Sequence, residues 1–199
     1  MFGSLVKHEK PLSTFIPYTR HIDETTIQTK DGYLLKVIKI EGLPFETVDQ
    51  IDINQRKSTR ATMLRGLSNS RFAIYHHIIR KETTDRLDGF FTNDWCRNLD
   101  HAYQDKLQKK RMFVNEQYIT VVRRPSQGAI GIIAELGRAA SEKIDHNILN
   151  QQQEESIKAL NEACSHIITT LSPYQPKILG IKETKNGSFS ESLSFLSYL

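Results

Sequence analysis

The chain is poor in cysteine, with two among its 199 residues, Cys96 and Cys164. A disulfide-stabilised scaffold needs more cysteines than this, so the count favours a reducing compartment. No C-x-x-C or H-x-x-x-H pair occurs, and the neighbouring His76 and His77 would leave opposite faces of a strand. The sequence therefore predicts no metal site, since zinc ligands need such a spacing.

Long apolar runs are also missing. The longest, residues 129–134, is far shorter than the roughly 20 apolar residues that a membrane-spanning helix needs. Residues 1–10 show neither the apolar segment nor the small-residue cleavage site of a secretory signal. We therefore expect an intracellular chain without a spanning helix, although such a chain could lie against a membrane surface.

The motifs of common catalytic centres are absent too. The dipeptide Gly-Lys does not occur, and Gly128 and Gly131 have neither the lysine nor the spacing of a P-loop. A P-loop needs both, because its backbone amides wrap the phosphates while its lysine meets their charge. No G-x-S-x-G elbow is present either. We predict no catalytic residue and no cofactor site in this chain.

The composition is that of a folded protein, with 38% hydrophobic and 25% charged residues. The formal net charge is +4, which permits contact with nucleic acid or anionic lipid without identifying either. Basic residues cluster in residues 106–111 and again at Arg123 and Arg124. These clusters could bind the phosphate backbone of a nucleic acid. No aromatic residues interleave with them, however, as the stacking of bases would require. Solvated element ends are the alternative interpretation.

Strand signals dominate the first half of the chain. Two β-rich segments, residues 25–29 and 33–41, flank Asp31 and Gly32, a pair that favours a hairpin turn. Apolar residues occupy both faces of the second segment, which predicts that part of it is covered on both sides. Residues 71–80, 113–124 and 177–182 are predicted as further strands.

Helical patterns separate these strands. Residues 47–69 predict a lightly buried helix, and a longer helix is predicted to end near Leu171. A helix between them carries one apolar stripe: Phe91, Trp95, Leu99, Ala102 and Leu107. The sequence thus predicts an α+β fold, with a mixed, mostly antiparallel sheet, an amino-terminal β-hairpin and several packed helices.

The carboxyl end predicts one more helix, residues 191–199, preceded by a turn at Asn186 and Gly187. The segment from Ser188 to Glu191 matches a capping box. No C-cap glycine or polar tail follows, so we expect the native chain to continue beyond Leu199. A short docked terminal helix is the alternative.

The first 23 residues have no regular period and contain two prolines. We interpret residues 1–23 as an arm and residues 24–199 as the folded domain. Exposed apolar area favours a partner surface, so Phe2, Leu5, Phe15 and Ile16 are predicted to contact another subunit. Packing of Phe15, Ile16 and Tyr18 on the domain's own sheet is the alternative.

Four segments together carry a family resemblance: PYTRH at residues 17–21, IQTKDGYL at 27–34, GLPFET at 42–47 and RMFVNEQYITVVRRP at 111–125. Their order and separation resemble the amino-terminal region of the VirB-type conjugal-transfer ATPases of bacterial type IV secretion systems, the CagE/TrbE/VirB family. The resemblance covers the chain from about residue 15 to its end.

This resemblance implies a larger parent protein whose RecA-like motor, with ATP and Mg, lies carboxy-terminal to the chain. None of the motor residues has a counterpart here. The resemblance also implies a peripheral location on the cytoplasmic side of the bacterial inner membrane. The expected partners are a small inner-membrane subunit of the secretion channel, other secretion-system components and further copies of the parent.

The resemblance therefore indicates a non-catalytic assembly and docking domain of a secretion ATPase. An accessory domain that contacts transferred DNA is the alternative. An arginine lent to the motor's nucleotide site in trans is a further possibility, but the sequence offers no means of choosing which arginine.

Overall fold

The computed structural model describes residues 11–43, 46, 48–68, 71–84, 89–125, 146–185 and 187–199. The strands are β1 (Tyr18–His21), β2 (Ile27–Thr29), β3 (Leu34–Ile40), β4 (Phe72–Thr83), β5 (Met112–Arg123), β6 (Lys177–Ile178), β7 (Ile181–Thr184) and β8 (Gly187–Ser190). The helices are α1 (Gln50–Gly66), α2 (Asp94–Gln108), α3 (His146–Thr170) and α4 (Glu191–Leu196), with short 3-10 turns at Leu12–Thr14 and Ser172–Tyr174.

The main sheet has the strand order β1-β2-β3-β5-β4, with β6 beside β3 on the same edge as β2. All of its pairings are antiparallel. Strands β7 and β8 form a separate two-stranded sheet. The predicted α+β class and the predominantly antiparallel sheet are confirmed.

The predicted hairpin joins β2 to β3. Gly32 adopts a φ of 77°, a left-handed conformation that a glycine reaches without a Cβ clash. Its N–H donates to the carbonyl of Thr29 at 3.0 Å, and the N–H of Thr29 donates to the carbonyl of Tyr33 at 2.9 Å. The turn thereby fixes the register in which Ile27 faces Leu35.

Strand β3 is covered on both faces, as its apolar alternation predicts. One face contributes Leu34 and Ile38 to a core closed by Met63 of α1 and by Leu160, Cys164 and Ile167 of α3. The other face contributes Leu35 and Val37 to a second core. That second core is closed by Ile27, Tyr118, Leu179, Phe195 and Leu196. A central strand with helices on both sides fixes the sheet between two apolar layers.

The carboxyl-terminal segment departs from the sequence prediction in two places. The predicted strand 177–182 is broken at Gly180, so β6 joins the main sheet and β7 joins the small one. A side chain at Gly180 would approach the carbonyl oxygen of Glu24 to 3.2 Å, so the two segments meet closely there.

The second departure concerns the cap of α4. The N-cap is Ser190, whose hydroxyl accepts from the N–H of Leu193 at 3.1 Å. Ser188, which the capping-box pattern indicates, instead lies in β8 and donates to Glu183 at 2.8 Å. Helix α4 ends at Leu196, so the predicted helix 191–199 is too long by one short turn. Asn186 of the predicted turn lies outside the described residues.

Candidate docking surface

Strands β4 and β5 pair along their entire 12-residue lengths, from Phe72 opposite Arg123 to Thr83 opposite Met112. In one half of this ribbon Tyr118–Val121 of β5 are buried, whereas Tyr75 of the edge strand β4 is 54% exposed. In the other half, which we call the distal ribbon (residues 78–83 and 112–117), Ile78, Phe113 and Val114 are exposed. The distal ribbon therefore carries more exposed apolar side chains than the central part of β5.

An ion-pair network lies where the distal ribbon leaves the core. The carboxylate of Glu116 accepts from Lys39 Nζ at 3.1 Å and from the Tyr118 hydroxyl at 3.0 Å, and it pairs with Lys81 Nζ at 2.5 Å. Burial opposes the charge of Glu116, but these three donors outweigh it and lower the pKa of Glu116 from 4.5 to about 2. The Lys81 ammonium also lies 4.6 Å from the ring centre of Tyr198. The network ties β3, β4 and β5 to the segment after α4.

Helix α2 belongs to the connection between the distal ends of β4 and β5. It begins at an Asn93 cap, whose side-chain oxygen accepts from the N–H of Trp95 at 2.8 Å. Residues 109–111 lead from its end into β5, and the guanidinium of Arg111 donates to both carboxylate oxygens of Glu82 at 2.9 Å. This bidentate pair joins the end of the connection to the neighbouring strand.

The apolar stripe of α2 faces solvent. A stripe of this kind normally packs on a core, yet Trp95 is 68% exposed, Leu99 55% and Tyr103 59%. The less exposed side of the helix is about a quarter turn away and consists of Cys96, Asp100, Gln104 and Leu107. Phe91 and Leu107, the two ends of the predicted stripe, are half-buried. The helix itself is confirmed, while its central apolar residues are left without a described partner.

We call Trp95, Leu99, Ala102 and Tyr103 the α2 face. Phe90, four residues before the start of the helix, adds an aromatic ring that is 93% exposed. From typical aromatic and leucine side-chain areas, the exposed apolar area is on the order of 500 Å². That is at the upper end of the largest patches that monomeric proteins show, and patches of this size are often functional.

The charges around the α2 face are arranged unevenly. Lys106 continues the line of Leu99 and Ala102 by one more turn, and Lys109 and Lys110 follow at the end of the helix. At about 100° per residue, the three aspartates of α2 lie about 100° or more from the centre of the face. One of them, Asp94, pairs with Arg97 at 3.0 Å. Lysines therefore dominate the charge at the carboxyl end of the face, where Asp105 also lies three residues after Ala102.

The predicted partner-contact residues lie elsewhere. Phe2 and Leu5 fall outside the described residues. Phe15 is 68% exposed and Ile16 44%, whereas Tyr18 of β1 packs on the second core. Ile16 lines a cavity of about 250 Å³ together with Tyr18, Arg20, His21, Ile27 and Leu193. The contact role of Phe2, Leu5, Phe15 and Ile16 stays a prediction, as does the division of the chain at residue 23.

The two basic clusters do not form one patch. Arg111 precedes the first residue of β5 and Arg123 is its last, so the strand separates them by roughly 35–40 Å. Arg123 stacks on Phe72 with 5.2 Å between its guanidinium carbon and the ring centre. A nucleic-acid contact would have to use one cluster at a time, and that alternative stays a prediction.

Among the described residues, no three histidine, cysteine or acidic side chains converge as metal ligands would. Cys164 is 1% exposed in the first core, and burial raises the pKa of its thiol to about 11. Over the same residues, no helix combines the length and the apolar composition that crossing a bilayer demands.

Comparison with known proteins places these features in a family. The family model described as "Type IV secretion system ATPase VirB4/TrbE, N-terminal domain" matches residues 25–130. The chain is 32% identical over 205 aligned positions to the type IV secretion system protein virB4 of Brucella suis, covering 100% of the chain and 24% of that protein. It is 28% identical to the type IV secretion system protein PtlC of Bordetella pertussis, and that alignment covers 100% of the chain and 24% of PtlC.

A third relative, virB4 of Bartonella quintana, is 26% identical over 196 positions, which are 98% of the chain and 25% of that protein. The chain thus spans about a quarter of the length of the relatives it matches.

Proposed function

Because this chain belongs to the VirB4/TrbE family of type IV secretion system ATPases, whose N-terminal domain it matches, we propose that it is a non-catalytic assembly and docking domain. In this role it holds the parent ATPase at the cytoplasmic side of the bacterial inner membrane. Its partners are a small inner-membrane subunit of the secretion channel, other secretion-system components and further copies of the parent. ATP and Mg are bound by the parent, outside this chain.

The observation that carries the proposal is the α2 face. Trp95, Leu99 and Tyr103 are each more than half exposed, although burying such side chains is worth about 1.5–3 kcal/mol each. A helix that presents them outward, on the connection between β4 and β5, is suited to contact a second surface. Aromatic anchors of this type dominate the binding energy of interfaces.

Substitution on this face tests the proposal in the full-length parent. Leu99→Asp is expected to lower co-purification of inner-membrane components by about tenfold or more, since it places a charge in the centre of the contact. Ile51→Asp is the matched control, because Ile51 of α1 is likewise an apolar residue of a helix and is 79% exposed. Full co-purification by a folded Leu99→Asp parent would contradict the proposal.

The amino-terminal arm is proposed as a second, smaller contact. The exposure of Phe15 and Ile16 supports it, and Phe2 and Leu5 would extend the same apolar arm. Phe15→Asp combined with Ile16→Asp should weaken co-purification without changing the unfolding transition. Unchanged co-purification would assign these side chains no contact role.

The non-catalytic part of the proposal has its own test. The purified 199-residue chain should show no ATP turnover above a buffer blank, whereas the parent should hydrolyse ATP in the presence of Mg. Turnover by the purified chain that survives repeated purification would refute this part.

A further inference from the structure

Lysines and aromatic residues share one sector of α2, and this pairing indicates what the α2 face contacts. The line Trp95, Leu99, Ala102 and Lys106 runs along the helix, with Lys109 and Lys110 at its end. Among the described residues these three lysines form no ion pair. Asp94 and Asp100 lie more than about 100° from this line, whereas Asp105 lies four residues before Lys109 on the same side of the helix. We propose that the α2 face binds the headgroup region of an anionic lipid bilayer.

The residue types fit such a surface. Tryptophan and tyrosine are enriched where hydrocarbon meets headgroups, because each ring has an apolar body and a polar atom. Leu99 lies between Trp95 and Tyr103 and would enter the acyl boundary with them. Lys106 can lay its methylene groups along the same surface and keep its ammonium among the lipid phosphates.

The lysines beside the α2 face favour an anionic lipid surface over a second copy of this chain, whose own α2 face is bordered by the same positive charges. A bilayer needs no matching partner surface, and each lysine near its anionic headgroups strengthens binding about fivefold.

The inference rests on the proposed docking role and names a partner for the same face. In this arrangement α2 lies in the plane of the bilayer with the α2 face toward the headgroups.

Trp95 makes the test direct, since it is the single tryptophan of the chain. The purified chain is titrated with vesicles of phosphatidylglycerol and phosphatidylcholine, and with vesicles of phosphatidylcholine alone, at two salt concentrations. We expect a blue shift of Trp95 emission with the anionic vesicles, weakened by salt, and much weaker binding to the neutral ones.

Two variants and one control variant test which side chains contribute to vesicle binding. Leu99→Asp should abolish the shift. Lys109→Glu with Lys110→Glu should weaken binding to anionic vesicles by about 25-fold or more, from two lysines at fivefold each, and leave the weak neutral binding unchanged. Ile51→Asp should behave as the unaltered chain.

Three outcomes would overturn the inference: no shift with anionic vesicles, equal binding to both vesicle types, or a shift that appears without vesicles as the chain is concentrated. The last would identify a second copy as the occupant. Failure here is distinguishable from failure of the docking role. If vesicles do not bind but co-purification of the parent still requires Leu99, the docking role stands and the partner is a protein.

Discussion

The ion-pair network around Glu116 should stabilise the sheet where the distal ribbon leaves the core, and the substitution Glu116→Gln tests this stabilisation. The carboxylate accepts from Lys39, Lys81 and Tyr118. The amide of the variant leaves two ammonium groups facing each other without a counter-charge. The lowering of its pKa from 4.5 to about 2 would correspond to roughly 3 kcal/mol for a fully buried group. Because the carboxylate is partly solvated, we expect Glu116→Gln to cost about 1–2 kcal/mol.

The pH dependence of this difference has a defined sign. The pKa of Glu116 is lowered on folding, so its contribution is fully present above pH 4.5 and is lost as the pH falls toward about 2. Urea unfolding of the unaltered chain and the variant should therefore differ by about 1–2 kcal/mol at pH 7 and converge below pH 3. The other carboxylates whose pKa values are lowered, such as Glu191, cancel in this difference.

A double-mutant cycle supplies the control. Lys81→Met should cost most of the same free energy, and adding it to Glu116→Gln should cost little more. A difference below about 0.3 kcal/mol at pH 7, or one that stays constant from pH 7 to pH 3, would refute this explanation of the network.

Three further predictions follow from single side chains. Phe195→Ala should lower the free energy of unfolding in urea by about 3–5 kcal/mol. Phe195 is 3% exposed, and its ring stacks on that of Tyr118 with 4.3 Å between the ring centres. A loss below about 1 kcal/mol would mean that α4 does not pack on the second core. Gly32→Ala should cost about 1 kcal/mol, since an alanine is strained at a φ of 77°, and an unchanged midpoint would contradict the assigned turn. In the folded chain a maleimide should modify Cys96 at least about 100-fold faster than Cys164. The thiol of Cys164 is buried and has a pKa of about 11, so little of it is the reactive thiolate. Peptide mapping that finds equal modification rates would count against the burial of Cys164 in the first core.

The sequence predicts best those elements whose signals are local. Asp31 and Gly32 predict the hairpin, and the structure has that turn, with Gly32 at a φ of 77°. The alternation along β3 predicts burial on both faces, which the two cores confirm. The spacing of Leu160, Cys164 and Ile167 identifies the buried side of α3 in the same way. Each of these signals depends on neighbours within a few residues.

The sequence predicts less well where a distant segment decides. The stripe of α2 has the spacing of a core helix, but its burial depends on whether another element covers it, and among the described residues none covers Trp95 or Leu99. Strand 177–182 is divided because Gly180 must pass close to Glu24, about 155 residues earlier in the chain. The cap of α4 shifts to Ser190 because Ser188 is used by β8. A mismatch between apolar spacing and exposure is itself the signal that identified the α2 face.

Both proposals depend on the α2 face being free of the core, and the unfolding free energy of Leu99→Asp measures this most directly. Since Leu99 is 55% exposed, we predict that the variant stays within about 0.5 kcal/mol of the unaltered chain in urea. If Leu99 were a core residue, its replacement by aspartate would lower the free energy of unfolding by well over the roughly 2–5 kcal/mol of a leucine-to-alanine change. A loss of that size at Leu99 would show that the face is packed in solution and is not available for docking.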